Sequence, residues 1–281
     1  MKKLLFIFFS LWCLNAMAQN VKQLTIGNNY SFEIKDGSNR SGRLDSLNAV
    51  YYYINNPSIG VDRISIKSVS KVKAIKLNKD GYFSNPHYSR YFFGPSAIPH
   101  PKGEVYWNNI WLEYNTIQYG VTDNFSVGMG GLLFTSLSGY PTLLPNAKYS
   151  FKLNEKSHIA VGGLMLVINT SSKTSSASLP FVVYTYGDSE VNISFGGGWA
   201  HEKTSGWSNR PTGYIAGIKR VARNWVVQGE AYLLNNSTAN TILLTTLRNI
   251  KPTSSWDFGA MILNFDGERS AVPIIGYTIK F

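Results

Sequence analysis

Short segments in which polar and apolar residues alternate fill the C-terminal two thirds of the chain, and they constrain its fold more than any other feature. In segments 191–199, 225–233 and 256–262 the aromatic and aliphatic residues share one parity, and the polar residues mostly occupy the other. Because successive side chains of a strand point to opposite faces, this period of two predicts strands with one apolar and one polar face.

The connections between these segments also follow a pattern. Turns are predicted at 122–124, 153–157, 188–190, 222–224 and 252–255, and they alternate with longer polar connections at 97–104, 135–141, 169–176, 201–211, 235–240 and 266–270. Transmembrane β-barrels have short periplasmic turns and longer external loops, and their strands alternate between lipid-facing and lumen-facing residues. Charges on one parity fit this reading, because a charge that faces lipid is costly.

The expected fold is therefore all-β, with an antiparallel transmembrane β-barrel of about twelve strands, or about ten, within 89–281. The first strand is placed at 89–96 and the second at 105–121, with a bulge expected near Asn115 and Thr116. A soluble sandwich or a lipocalin-like barrel is the alternative, and it would turn its apolar face inward.

The first residues predict export. Lys2 and Lys3 precede an apolar run at 4–13 and the small-residue site Ala16-Met17-Ala18, which together predict a cleaved secretory signal peptide over 1–18. The run is too short to span a bilayer as a helix. The single cysteine, Cys13, lies within this leader, so disulfides, thiolate metal sites and thiol nucleophiles are not expected. The expected location is the cell outer membrane.

The residue pattern of 19–78 differs from that of the barrel segments and predicts a small periplasmic β-domain. A linker at 79–88 is expected to join this domain to the barrel. Four or five short strands are expected, at 30–35, 41–44, 50–54, 64–66 and 72–75. Their order, with the turn dipeptide Asp36-Gly37 after the first strand, resembles SH3-like or Sm-like small barrels. Sm proteins bind RNA, but no residue here matches a nucleotide-binding motif, so a docking or spacer role is expected instead.

The final segment, 273–281, alternates clearly and ends on an aromatic residue. Tyr277, Ile279 and Phe281 share one parity, a pattern that resembles the C-terminal signal of bacterial outer-membrane barrels. That resemblance implies recognition by the barrel assembly machinery. Segments 90–97 and 119–128 resemble a group of uncharacterised outer-membrane barrel proteins from Bacteroidetes-type bacteria, which implies a location and no activity.

The chain is basic, with 27 Lys and Arg against 16 Asp and Glu. For an exported protein this predicts contact with outer-membrane lipid or lipopolysaccharide, and with peptidoglycan or a periplasmic protein through the first domain, rather than with nucleic acid. Scattered solvated lysines explain the charge equally well. No cofactor or metal is expected, because the four histidines lack metal-ligand spacing.

The polar parity supplies the candidate functional residues, which are expected to face the lumen: Glu113, Gln118, Lys148, Glu230, Asp257 and Lys280. They predict a porin-like, non-enzymatic narrow channel or small-ligand binder, although opposite charges could also bond across the barrel and fill it. One alternative is a structural or adhesive envelope protein that acts through its loops or its first domain. A weaker one is a lipid-modifying enzyme centred on His201, whose loop at 201–210 is similar only in composition to outer-membrane phospholipase A.

Overall fold

The computed structural model describes residues 24–170, 174–234, 240–265 and 267–281, so the predicted signal peptide lies outside the described residues. The chain divides into two compact units between Tyr82 and Phe83. Within the described ranges, no helix is long and apolar enough to cross a membrane.

The first unit is a five-stranded antiparallel sheet, in which the fourth, third, second and first strands of the chain lie side by side and the fifth pairs with the first. Its core contains alternate residues of the strands, because every second side chain points inward; these are Tyr30, Phe32, Leu44, Ile54 and Ile64. All five strands overlap the segments expected from the sequence, and the SH3-like resemblance stays a prediction. The elements are β1 (Asn29–Ile34), β2 (Asn39–Leu47), β3 (Tyr51–Asn56), β4 (Gly60–Ser65), a 3-10 helix (Ile66–Ser68) and β5 (Val69–Ala74).

The second unit is one antiparallel sheet, in which fifteen strands are described. Three of them are only two residues long and extend the loops; these are β9, β14 and β15 in the chain order that follows. The elements are β6 (Val105–Ile110), β7 (Tyr114–Gly120), β8 (Phe125–Leu132), α1 (Leu133–Leu137), β9 (Thr142–Leu143), β10 (Asn146–Lys152), β11 (Ser157–Asn169), β12 (Thr174–Gly187), β13 (Val191–Gly198), β14 (His201–Glu202), β15 (Gly206–Trp207), β16 (Thr212–Ala222), β17 (Trp225–Leu234), β18 (Asn240–Ile250), β19 (Ser254–Phe265) and β20 (Glu268–Lys280).

The other twelve strands of the described chain form a closed barrel. Each pairs with its neighbour in chain order, and β20 returns to pair with β6 in the register Gly276↔Ile110 to Lys280↔Tyr106. Closure pairs the edge strands with each other over this register, where an open sheet would leave them exposed. The all-β, antiparallel twelve-stranded barrel predicted from the sequence is thus confirmed.

Two of the individual strand assignments were wrong. Segment 89–96 is not a strand, and 105–121 is two strands rather than one. The expected bulge near Asn115 is instead a tight hairpin turn at 111–113. Both Trp111 (φ 53°) and Leu112 (φ 62°) adopt the left-handed conformation that type I′ hairpin turns require.

Connections differ between the two ends of the barrel. At the end where β6 begins and β20 finishes, the strands are joined by short turns at 121–124, 153–156, 188–190, 223–224 and 251–253. The longer connections 133–145 and 199–211 lie at the other end, which also carries the short turn 111–113. The longer loop expected at 266–270 is not found as such, because β20 already begins at Glu268. Segment 97–104, expected to be an external loop, directly precedes β6 and therefore lies at the short-turn end.

The two faces of the barrel wall differ sharply in polarity. The outer face exposes large apolar side chains, among them Ile117, Tyr149, Val182, Phe195, Leu243, Phe258 and Ile275. The opposite parity is buried and largely polar, with Thr116, Ser150, Thr185, Ser194, Gln228, Thr246 and Thr278. An apolar outside around a polar inside is the reverse of the soluble-barrel alternative and is typical of a transmembrane barrel.

Candidate functional site in the barrel lumen

Residues 83–104, which we call the plug, occupy the interior of the barrel. The plug carries four prolines and follows an irregular path, held by the bonds from Tyr91 N–H to Gly94 O (2.8 Å) and from Ser96 N–H to Ser89 O (3.1 Å). Most of its side chains are buried, among them Phe83, Asn85, His87, Arg90, Tyr91, Phe92, Ala97 and His100. Inward-facing side chains from strands around the barrel bind it.

Glu230 on β17 binds the tip of the plug. Its carboxylate accepts hydrogen bonds from three consecutive backbone N–H groups, those of Phe92, Phe93 and Gly94 (2.9 Å for Gly94), and from the hydroxyl of Tyr232. Successive N–H groups that converge on one anion form a strong site because each bond is charge-assisted. Glu230 is 4% exposed, so these bonds offset the cost of burying its charge.

Lys148 on β10 binds the plug from the nearly opposite side of the barrel. Its ammonium group donates to the backbone carbonyls of Ser89 (2.9 Å), Ser96 (2.7 Å) and Ile98 (3.0 Å). An ammonium has three N–H donors, so the three carbonyls satisfy all of them. Lys148 and Glu230 therefore hold the plug backbone through opposite charges.

Strands β12 and β13 hold the middle of the plug through hydroxyl and amide groups. The Tyr91 hydroxyl donates to Asn192 Oδ1 (2.5 Å) and lies 2.6 Å from Ser194 Oγ. The backbone N–H of Ala97 donates to Thr185 Oγ1 (2.7 Å). On β16, the hydroxyl of Tyr214 donates to the carbonyl of Pro95.

Near the short-turn end, a buried ion pair lies against the start of the plug. Arg248 Nε donates to Asp257 Oδ1 at 2.8 Å, and both side chains are fully buried. Arg248 also donates to Asn85 Oδ1 (3.1 Å), and His87 Nε2 lies 3.1 Å from Thr278 Oγ1 on β20. Removing one partner of such a pair leaves an uncompensated buried charge, which is strongly destabilising.

The plug tip also packs into an apolar layer on the side away from the short turns. Phe92 is buried with Ile110, Leu244, Met261 and Ile274. A Cβ atom on Gly276 would lie 2.9 Å from the Phe92 ring, so glycine makes room for it in β20. The lumen is thus polar toward the short-turn end of the barrel and apolar toward the opposite end.

The six candidate residues predicted from the sequence lie in three different parts of the barrel. Gln118, Lys148, Glu230 and Asp257 are buried on the inward parity. Lys280 pairs with Glu104 (2.6 Å) where the plug leads into β6. Glu113 lies outside the strands, in the turn at 111–113, where its carboxylate accepts bonds from Thr135 Oγ1 (2.6 Å) and the N–H groups that begin α1.

Several polar side chains inside the barrel were not singled out as candidates from the sequence, among them Thr185, Asn192 and Arg248, which bind the plug, and the neighbouring pair Gln228 and Thr246. Gln228 and Thr246 are paired across β17 and β18. Their buried side-chain polar atoms, both amide atoms of Gln228 and the Thr246 hydroxyl, have no hydrogen-bond partner in the described part of the protein. Buried polar atoms of this kind normally bind ordered water.

The geometry does not assemble a catalytic set at His201. The His201 ring contacts Trp207, with ring centroids 4.8 Å apart, while the hydroxyl of Ser205 donates to Glu202 (2.6 Å). Nucleophilic catalysis needs the hydroxyl within hydrogen-bond reach of the base. Among the residues described, no cluster of three or more His, Cys, Asp or Glu could hold a metal ion.

Comparison with known proteins gives only a distant likeness. No protein-family model matches the chain, and no curated protein matches its sequence. Among solved structures it is similar to the KdgM porin, at 8% identity and a TM-score of 0.48, over 63% of this chain and 99% of that one. It is also similar to the NanC porin (13% identity, TM-score 0.39, 63% and 97% of the chains) and to OmpT of Vibrio cholerae (12% identity, TM-score 0.30, 90% and 94%).

Proposed function

We propose that the protein is an outer-membrane β-barrel that works as a narrow, non-enzymatic channel for small polar solutes. In this proposal the plug keeps the channel closed. The apolar outer face supports the membrane location, because bilayer hydrocarbon is the environment that such a surface requires. Barrels of about eight strands are filled by their own side chains and those of about sixteen leave an open channel, so twelve strands leave a narrow one.

The observation that carries the proposal is how Glu230 and Lys148 hold the plug. Both side chains bind its backbone rather than apolar groups of its core. Water can satisfy a carboxylate, an ammonium group and backbone amides once the plug moves, and the two charged groups would then line an aqueous path. Gln228 and Thr246 would add uncharged polar groups to the same path.

A structural or adhesive role is the second candidate. The plug is bonded to at least eight strands of the described barrel (β7, β10, β12, β13, β16, β17, β18 and β20), which also suits a permanently filled scaffold that acts through its loops. In either case, export through a cleaved leader, barrel-machinery recognition of Tyr277, Ile279 and Phe281, and docking of 19–78 to peptidoglycan or a periplasmic protein belong to the proposal.

Single-channel recording distinguishes the channel from the scaffold, when it is made on a variant whose plug can be locked in place. The backbone N–H of Ala97 bonds to Thr185 Oγ1, so Ala97→Cys with Thr185→Cys is the pair chosen to join the plug to β12, and formation of the disulfide is checked by mass spectrometry before recording. We expect discrete conductance steps from the wild-type protein in planar bilayers, their loss in the oxidised double variant, and their return on reduction. Steps that persist in the oxidised variant would show that the plug does not gate. No steps from folded wild-type protein would favour the scaffold.

A further inference from the structure

On one side of the barrel the strands are shorter than elsewhere, so the barrel wall is lower there. Strands β6 and β7 have six and seven residues, whereas β19 and β20 have twelve and thirteen. A tilted transmembrane strand needs about 9–11 residues to cross the hydrocarbon core. The β6–β7 hairpin therefore ends partway across the membrane, on the side away from the short turns.

Above this hairpin, β20 has an unpaired edge. Its residues 276–280 pair with β6, but 268–275 pair only with β19. Backbone groups without a hydrogen-bond partner are costly in lipid, and Trp111 donates hydrogen bonds to two of those on this edge. Its backbone N–H donates to Ile275 O (3.1 Å) and its indole Nε1–H donates to Pro273 O (2.7 Å). Pro273 has no N–H, so this position leaves no unpaired donor on the edge.

A groove of about 360 Å³ lies at this edge and opens to the outside. It is lined by Trp111, Val272, Pro273, Ile274 and Ile275, whose side chains are all apolar. It continues onto the lipid-facing surface, since Ile275 is 45% exposed on the outer face. Behind it, Trp111 packs against Phe93 of the plug, with ring centroids 6.4 Å apart.

We propose that this groove is a binding site for one acyl chain of a membrane phospholipid, which enters sideways through the low part of the wall. The groove offers an acyl chain an apolar lining without side-chain hydrogen-bond donors other than the indole already bound to Pro273. The inference rests on the membrane location in the proposed function, but not on conductance.

Native mass spectrometry of protein extracted from outer membranes in a mild detergent tests the site. We expect one phospholipid retained per wild-type chain, and at least a tenfold lower occupancy in Ile275→Trp, whose larger side chain would occupy the groove from the outer face. The matched control is Val182→Trp on the outer face of β12, where both neighbouring strands are paired, and it should retain the lipid. Wild-type protein that carries only detergent or a free fatty acid, or equal occupancy in Ile275→Trp, would overturn the proposal.

A fluorescence experiment decides the matter without a groove-filling variant. Protein is loaded with brominated phospholipid and then diluted into unbrominated lipid, and the contributions of Trp111 and Trp256 are isolated with Trp111→Phe and Trp256→Phe. Trp256 lies on the outer face of a wall that is paired on both sides, so its quenching should reverse at once, whereas that of Trp111 should persist. Simultaneous recovery would contradict a seated chain. A lipid-binding protein that gives no conductance would refute the channel alone.

Discussion

The carboxylate of Glu230 accepts a hydrogen bond from the backbone N–H of Gly94 at 2.9 Å, although the two residues lie 136 positions apart in the chain. A Cβ atom at position 94 would lie 2.8 Å from the Tyr232 hydroxyl, so only glycine lets the plug backbone come this close. The barrel wall and the plug are thus closely fitted to each other at this charged group.

Replacing Glu230 should loosen the plug. In Glu230→Gln the carboxylate loses its charge, and with it the charge-assisted bonds to the N–H groups at 92–94, which are about twice as strong as neutral ones. We expect faster hydrogen exchange at those amides and more frequent conductance steps. Glu155→Gln, in an exposed turn, is the control and should change neither. Unchanged exchange in Glu230→Gln would mean that other contacts hold the tip.

Lys148 and Lys152 form a matched pair on strand β10. Lys148 donates to three plug carbonyls, whereas Lys152 is half-exposed and pairs with Glu155 (2.7 Å). Lys148→Met should leave the carbonyls of Ser89, Ser96 and Ile98 without their donor and increase channel opening. Lys152→Met should behave as wild type. Equal behaviour of the two variants in single-channel recordings would show that Lys148 does not hold the plug closed.

The sequence predicted the barrel because its strands obey a local rule. Period-two alternation needs only neighbouring residues, and it places Lys148, Glu230 and Asp257 on the parity that the structure buries. The hairpin at 111–113 was missed because Trp111 and Leu112 occupy left-handed positions that usually carry Asn or Gly. Without that turn signal, β6 and β7 read as one strand and Glu113 as a strand residue.

The plug could not be placed from local patterns. Its defining contacts join residues far apart in the chain, from 50 positions for Lys148 with Ile98 to 138 positions for Phe92 with Glu230. One usable signal was present, since Pro86, Pro95, Pro99 and Pro101 fall within a short stretch and argue against a strand. The segment assigned as the first strand, 89–96, contains Gly94-Pro95, and for that reason about ten strands stayed open beside twelve.

The buried pair of Arg248 and Asp257 should be more sensitive to single than to double replacement. Asp257→Asn leaves the Arg248 guanidinium buried without its counter-charge, which should lower the free energy of unfolding by about 3–5 kcal/mol. The double variant Arg248→Met with Asp257→Leu removes both charges and should lose less. Urea unfolding in detergent micelles, followed by the gel shift between folded and unfolded barrel, measures both. A larger loss in the double variant would contradict this view.

Glu113 should hold the start of α1 in place. Its carboxylate accepts hydrogen bonds from Thr135 Oγ1 and from the N–H groups of Phe134 and Thr135. Glu113→Gln removes the charge that strengthens these bonds. We therefore expect faster hydrogen exchange at the Phe134 and Thr135 amides in Glu113→Gln, whereas Glu155→Gln, in an exposed turn, should leave them unchanged. Equal exchange in wild type and Glu113→Gln would show that other contacts fix the start of α1.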